Sequence, residues 1–139
     1  MQQEIFGPVF TLMLLTWAVW MYMYAKRIPF VISSGLEPNQ VTPEELARIS
    51  PPEVSNPSDN LKNLFEVPVL FYALALYLFS VEQVDAAYVV GAWVYVLLRI
   101  LHSGVHCTVN IVTLRFALYV LSSLVLFAMT LRAAIAYFI

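Results

Sequence analysis

Polar and ionisable side chains interrupt three strongly apolar stretches of this sequence. They are Asn63 and Glu66 in the first stretch, Arg99, His102 and His106 in the second, and Arg115 and Tyr119 in the third. An ionisable side chain in a membrane-spanning helix costs several kcal/mol, so such residues usually face the protein interior or a water-filled cavity. We therefore take these residues as a candidate functional site.

Helical spacing sorts these residues into stripes. Side chains three or four positions apart share one face of a helix, and each of the three groups has this spacing, with Ser122 extending the third. The predicted helices bring the start of the first stretch, the end of the second and the start of the third to the same side of the membrane. The sequence thus predicts a clustered polar pocket. Pro68 is expected to kink the first stretch and help to open that pocket.

Purely structural roles are open for the charged residues. Glu66 could form an ion pair with Lys62, Arg99 or Arg115 that lets the helices pack. Arg99 could instead extend to phospholipid head groups, as arginines near helix ends often do.

The histidines and the cysteine suggest no chemistry of their own. His102 and His106 have the H-x-x-x-H spacing of a zinc pair, but no cysteine or carboxylate stands in register with them. We therefore predict no metal site. Cys107 lacks the sequence pattern of a nucleophile, and we expect a packed or lipid-facing thiol.

Composition places these residues in a membrane protein. The 139 residues are 61% hydrophobic and 12% charged, and their mean hydropathy is +0.79, too apolar for an ordinary soluble domain. A helix needs about 20 residues to cross about 30 Å of hydrocarbon. We predict an all-α integral membrane protein, a bundle of four transmembrane helices at about 5–25, 61–81, 86–106 and 111–138, in a single domain over residues 1–139.

The basic residues predict the orientation of the bundle. Lys26, Arg27, Arg48 and Lys62 lie in or beside the first predicted connection, and Arg99 and Arg115 flank the third. The link between the second and third helices has no lysine or arginine. Cytoplasmic connections carry the excess of these residues. We therefore expect a multi-pass protein of a bacterial inner membrane, with both termini outside and the polar site facing the cytoplasm.

The first predicted connection, at about 26–60, is mostly irregular, because prolines stand at 38, 43, 51, 52 and 57. Within it, Thr42-Pro43-Glu44-Glu45 has the form of a capping box and predicts one short helix at about 43–49. The segment from Pro52 to Pro57 is expected to separate that helix from the next, for which Ser58 or Asp59 is the predicted N-cap. The net charge of −2 and the lack of a basic patch argue against a nucleic-acid partner.

The combined motifs resemble the MAPEG superfamily, the membrane-associated proteins in eicosanoid and glutathione metabolism. They are Asn63-x-x-Glu66-x-Pro68 followed by Phe71, Arg99-x-x-His102, and Arg115-x-x-x-Tyr119. The resemblance covers nearly the whole chain and looks closest to bacterial members of the family. It implies a homotrimer in the lipid bilayer that binds glutathione between neighbouring subunits at the cytoplasmic side.

The resemblance also implies roles for individual residues. The arginine matching Arg115 activates the glutathione thiol in the family's synthases, and the other matching positions bind the peptide. These positions are Lys62, Asn63, Glu66, Arg99, His102 and Tyr119, and His106 is expected to bind with them because it shares the stripe of Arg99 and His102. The chain departs from the eicosanoid-type pattern at Asp59, where a basic residue is expected, at His106, where a prostaglandin-type member has tyrosine, and at Phe116, where it has serine.

The expected activity is that of a glutathione transferase or peroxidase acting on lipophilic electrophiles. Two other classes are open. A family member that has lost catalysis could bind lipid or serve as a scaffold, which the departures at Asp59 and Phe116 would permit. A proton-coupled transporter built around Glu66 fits less well, because this glutamate lies near a helix end behind a long connection. The sequence does not name the electrophile or decide between glutathione and another thiol.

Overall fold

The protein is almost entirely helical. The computed structural model describes residues 1–37, 39 and 41–139. Within them, a 3₁₀ turn at Gln2–Ile5 precedes six α-helices: α1 (Phe6–Ser33), α2 (Pro43–Ile49), α3 (Pro52–Leu64), α4 (Val67–Ser80), α5 (Ala86–Cys107) and α6 (Val112–Phe138). Pro38, one of the prolines that predicted an irregular connection, lies outside the described residues.

Four segments of the described chain are long and apolar enough to cross a membrane. They are Gln2–Ser33, Pro52–Ser80, Ala86–Cys107 and Val112–Phe138. The prediction of an all-α, multi-pass membrane protein with four spans is confirmed. The bounds predicted for the last two helices, about 86–106 and 111–138, differ from α5 and α6 by one residue at one end.

Helix α1 continues beyond its predicted end near residue 25 and reaches Ser33. Lys26 and Arg27 therefore belong to this helix rather than to the connection. Pro29 lies inside it and removes one backbone hydrogen bond. The helix also contacts α3 near this point, where Arg27 Nη2 donates to Ser58 Oγ at 2.9 Å.

The second span is two helices rather than the single kinked helix predicted at 61–81. Helix α3 already begins at Pro52, so the expectation that 52–57 separates the elements and that Ser58 or Asp59 is the N-cap was wrong. Proline is favoured at the first helical position, where its missing N–H costs nothing. Pro57 lies within the helix and is buried on the same face as Val54 and Leu64.

The chain breaks between α3 and α4 at Phe65 and Glu66. Glu66 has φ −95° and ψ −107°, outside the helical region. Pro68 is the physical reason, because it has no N–H to donate to the carbonyl of Leu64 and its ring crowds that carbonyl. The kink predicted at Pro68 is therefore wrong, because the helix breaks just before this residue.

Helix α2 confirms the short helix predicted at 43–49. Thr42 Oγ1 accepts a hydrogen bond from the Glu45 N–H at 3.2 Å, and Glu45 Oε2 accepts one from the Thr42 N–H at 3.1 Å. This reciprocal pair is the predicted capping box, with Pro43 at the first helical position.

An apolar core holds the long helices together. Its fully buried members include Leu12 of α1, Phe71 and Leu78 of α4, and Tyr95 and Val96 of α5. The rings of Phe71 and Tyr95 lie 4.9 Å apart between centroids. This core fixes the relative positions of the helices whose ends carry the candidate site.

The end of the bundle that carries the termini is closed by polar contacts. Gln2 donates from Nε2 to the Glu82 carbonyl at 2.8 Å and accepts from the Val84 N–H at 3.1 Å. Arg132 Nη1 donates to Asp85 Oδ1 at 3.0 Å and Arg132 Nη2 to Oδ2. The bonds from Arg132, followed by one from the Tyr88 N–H, lower the pKa of Asp85 to about 2. The stabilisation is therefore present above the ordinary carboxyl pKa and lost as the pH falls through about 2.

Candidate functional site

The three predicted stripes meet at the other end of the bundle, which we call the polar end. Arg99 of α5 donates from Nη2 to the Asn63 carbonyl of α3 at 2.9 Å. His102 of α5 contacts the Arg115 carbonyl of α6 through Nδ1 at 3.0 Å. The Tyr119 ring lies 5.3 Å from the guanidinium carbon of Arg99 and 5.8 Å from the His102 ring. Helix α5 thus links α3 and α6 at the site.

Arg99 supports the break between α3 and α4. Its side chain is fully buried, and it bonds a carbonyl in the last turn of α3, where backbone acceptors lose their helical partners. A cation there also complements the helix dipole. Its Nε and Nη1 are buried without a hydrogen-bond partner in the described part of the chain. The alternative in which Arg99 extends to lipid head groups is therefore wrong.

The geometry fixes the tautomer of neutral His102. A carbonyl oxygen can only accept, so Nδ1 carries the hydrogen and donates to Arg115. Nε2 is then an acceptor, and it is buried with no hydrogen-bond partner among residues 1–37, 39 and 41–139. His106 is also buried, and its ring centroid lies 5.6 Å from that of His102. The two imidazoles form an inner wall of the site.

The remaining site residues form an outer layer. Glu66 and Lys62 are exposed, whereas Asn63, Arg115 and Tyr119 are half-buried. Glu66 forms no ion pair with any residue that the structure describes. The structural pairs considered for it with Lys62, Arg99 or Arg115 are therefore not formed, and its carboxylate faces outward.

Lys62 pairs with a different acid. Its Nζ lies 3.1 Å from Asp59 Oδ1, and both side chains are more than half exposed. Asp59 is the acid that stands where a basic residue was expected. The acid at this position therefore partly neutralises the positive charge of Lys62. Phe116, which stands on α6 where a prostaglandin-type member of the family has serine, is exposed beside Arg115.

A buried polar network behind the site escaped the sequence analysis. Asn60 of α3 is fully buried, accepts a hydrogen bond from Ser103 Oγ at 3.3 Å, and donates from Nδ2 to Cys107 Sγ at 3.5 Å. Cys107 is half-buried, in agreement with a packed thiol. Helical spacing could have identified Asn60, because it lies three residues after Pro57 and four before Leu64, which are buried on the same face.

An apolar groove lies beside the break between α3 and α4. Its volume is about 620 Å³, and it runs between α1 and the second span. Its walls include Trp17, Trp20, Leu64, Phe65 and Tyr72. The two tryptophan rings pack edge to face at 5.6 Å. The groove therefore places an apolar surface next to the residues that flank Glu66.

The fold and the site define the class of this protein. It is an all-helical, multi-pass membrane protein with a polar cluster, built from three of its spans, at one end of the bundle. The model of the MAPEG family matches residues 5–135. The chain belongs to the MAPEG family, as the motifs at the polar end had indicated. No curated protein and no solved structure matches the chain.

Proposed function

We propose that the protein is a membrane-bound, glutathione-dependent transferase or peroxidase that acts on lipophilic electrophiles. Many MAPEG members are glutathione transferases or peroxidases, which supports the reaction class. The observation that carries the proposal is the pair of un-neutralised charges at Glu66 and Arg115. At the polar end, the outward-facing Glu66 has no ion-pair partner in the described chain, and the Arg115 guanidinium is bonded to a neutral amide.

These charges suit the groups of glutathione. Its ammonium complements the Glu66 carboxylate, and its peptide groups can bond Asn63 and Tyr119. Lys62 attracts one of its two carboxylates in competition with Asp59. Arg99, His102 and His106 act from behind this layer: Arg99 and His102 hold the backbone of Asn63 and Arg115, and the histidine rings line the inner wall.

Arg115 supplies the activation. A free thiol has a pKa of about 8.5 and is mostly protonated at neutral pH, and a nearby guanidinium favours the thiolate. Arginine suits this role because it stays charged when partly desolvated. In the transferase reaction, the sulfur bonds to the electrophilic carbon and the leaving group departs with the bonding pair. In the peroxidase reaction, the thiolate attacks a hydroperoxide oxygen, an alcohol leaves, and a second glutathione converts the sulfenic acid to disulfide and water.

The lipid bilayer supplies the second substrate in this proposal. The apolar groove beside the break is the candidate seat for a lipophilic electrophile. The complete site is proposed to form in a homotrimer, where a neighbouring subunit covers the outer layer. The polar end is proposed to face the cytoplasm, where glutathione is available.

The test of activation is a substitution of Arg115. Arg115→Leu should reduce turnover of a chlorodinitrobenzene by about tenfold to a thousandfold, because one electrostatic contact in the reactive state is lost. The ultraviolet thiolate absorbance of bound glutathione should fall with it, whereas glutathione binding should fall less. Arg115→Lys should recover little, since an ammonium lacks the planar fork of a guanidinium.

The matched control is Arg48→Leu on α2, which removes an exposed arginine from the connection. It should leave turnover unchanged. Arg132 is a poorer control because it is paired with Asp85. Wild-type protein that binds glutathione but forms no thiolate, conjugates no electrophile and reduces no hydroperoxide would contradict the enzyme, and a catalytically inactive lipid-binding or scaffold protein would take its place.

A further inference from the structure

Arg115 is held at two points, one on its backbone and one on its side chain. His102 donates to its carbonyl at 3.0 Å. Asn110 Oδ1 accepts from its Nη1 at 2.6 Å. An arginine side chain otherwise has many rotamers, so the second contact selects where its charge lies.

Asn110 is itself fixed in three ways. Its φ is +46°, a left-handed conformation that asparagine adopts more readily than most residues. Its N–H donates to the Val105 carbonyl at 2.7 Å, and its Nδ2 donates to Asn56 Oδ1 at 3.0 Å. Because Arg115 can only donate, the amide oxygen must face it and the amide nitrogen must face Asn56. The anchor therefore has one orientation.

We infer that Asn110, supported by Asn56, is a positioning residue for Arg115. The inference rests on the proposed function and deepens it. A neutral amide holds the guanidinium in place without neutralising it, so the positive charge remains available to the thiolate. A carboxylate at the same position would hold the guanidinium equally well but would offset its charge.

Two substitutions of Asn110 test separately whether it must hold the Arg115 guanidinium and whether it must leave the charge of that group intact. Asn110→Gly keeps the left-handed backbone available and removes the anchor. It should lower kcat by about tenfold and reduce thiolate absorbance, with KM for glutathione within about twofold, because the charge is misplaced rather than lost. Asn110→Asp keeps the acceptor and adds a negative charge. It should reduce thiolate absorbance further, and Asn56→Ala should show a smaller loss in the same direction.

The matched control is Glu82→Gly. Glu82 also has a positive φ, +56°, and lies at the opposite end of the bundle. This variant should keep wild-type turnover and thiolate absorbance. Thermal unfolding in detergent should be measured for every variant, so that any loss of folded protein is counted separately.

The outcomes distinguish the inference from the proposed function. If Arg115→Leu loses the thiolate while Asn110→Gly and Asn110→Asp retain it, the positioning role is wrong and the proposed enzyme stands. If Arg115→Leu keeps full activity, the proposed function fails first. Losses at Asn110 that match only the loss of folded protein would also overturn the inference.

Discussion

Individual residues at the polar end divide by depth into two kinds. Arg99 and His102 are almost fully buried, and each bonds a backbone carbonyl of another helix. Glu66 and Arg115 lie further out and carry opposite charges. A ligand therefore meets the outer pair first, while the inner residues fix the backbone on which that pair stands. Substitution of the inner residues is expected to affect both folding and ligand binding. Substitution of the outer residues is expected to affect ligand binding without affecting folding.

Glu66 is the residue where binding can be tested alone. Glu66→Gln should weaken glutathione binding by about 2 kcal/mol or more, because a charge-assisted bond to the ligand ammonium is lost. Thermal stability should be unchanged, since the carboxylate forms no ion pair with the described residues. Isothermal titration calorimetry on the detergent-solubilised protein measures the affinity.

The control for this prediction is Glu53→Gln, which neutralises an exposed glutamate in the first turn of α3. It should bind glutathione as the wild type does. Unchanged binding in Glu66→Gln combined with a lower unfolding temperature would mean that Glu66 has a structural role.

At the scale of elements, the break between α3 and α4 positions the candidate site. An unbroken helix would carry Glu66 on a regular helical face, whereas the break gives it a backbone conformation of its own. Two features support the break from opposite sides. Pro68 removes a hydrogen-bond donor, and Arg99 satisfies a carbonyl that the break leaves free.

Pro68→Ala should therefore change the site without touching a charged residue. Alanine restores an N–H that can bond the Leu64 carbonyl, so α3 and α4 should tend to join into one helix. We expect slower amide hydrogen exchange at residues 65–67 and at least a tenfold loss of glutathione affinity, about 1.4 kcal/mol.

Pro29→Ala is the corresponding control. Pro29 is exposed within α1, and that helix continues through it unbroken. This variant should alter stability slightly and leave glutathione affinity unchanged. A Pro68→Ala protein with wild-type exchange and affinity would show that the break does not depend on the proline.

At the scale of the whole molecule, one chain leaves the outer layer of the site uncovered. Between 17% and 39% of the most apolar window of each span is buried within the chain. Lipid can cover the apolar remainder, but it cannot satisfy the polar groups at Glu66 and Arg115. A neighbouring subunit at the polar end would shield the outer layer from lipid and leave these two groups to the ligand of the proposed site.

We therefore predict an oligomer, and the family resemblance implies a homotrimer with one site at each subunit interface. Native mass spectrometry of the protein released from detergent should give three times the chain mass of 15.8 kDa. Crosslinking in the membrane before extraction is the control for dissociation by detergent. Monomers or dimers in both experiments would contradict the trimer.

The sequence by itself determined the features that depend on neighbouring residues. The four spans follow from apolar length, α2 follows from the capping box at Thr42 and Glu45, and the stripes of polar residues follow from helical spacing. Family membership could also be predicted, because the motifs are local and their order along the chain is preserved. Each of these signals comes from one continuous segment of sequence or from the order of short motifs along the chain.

Tertiary structure alone decided where helices continue and which polar groups meet. Helix α1 passes through Pro29 and contacts α3 through Arg27 and Ser58, and the buried Asn60 accepts a hydrogen bond from Ser103, 43 residues away. Arg99 reaches the Asn63 carbonyl across 36 residues of sequence. Such contacts depend on the packing of separate helices, which the local sequence around each residue does not specify. No window of sequence contains both partners, so only the folded chain could show them.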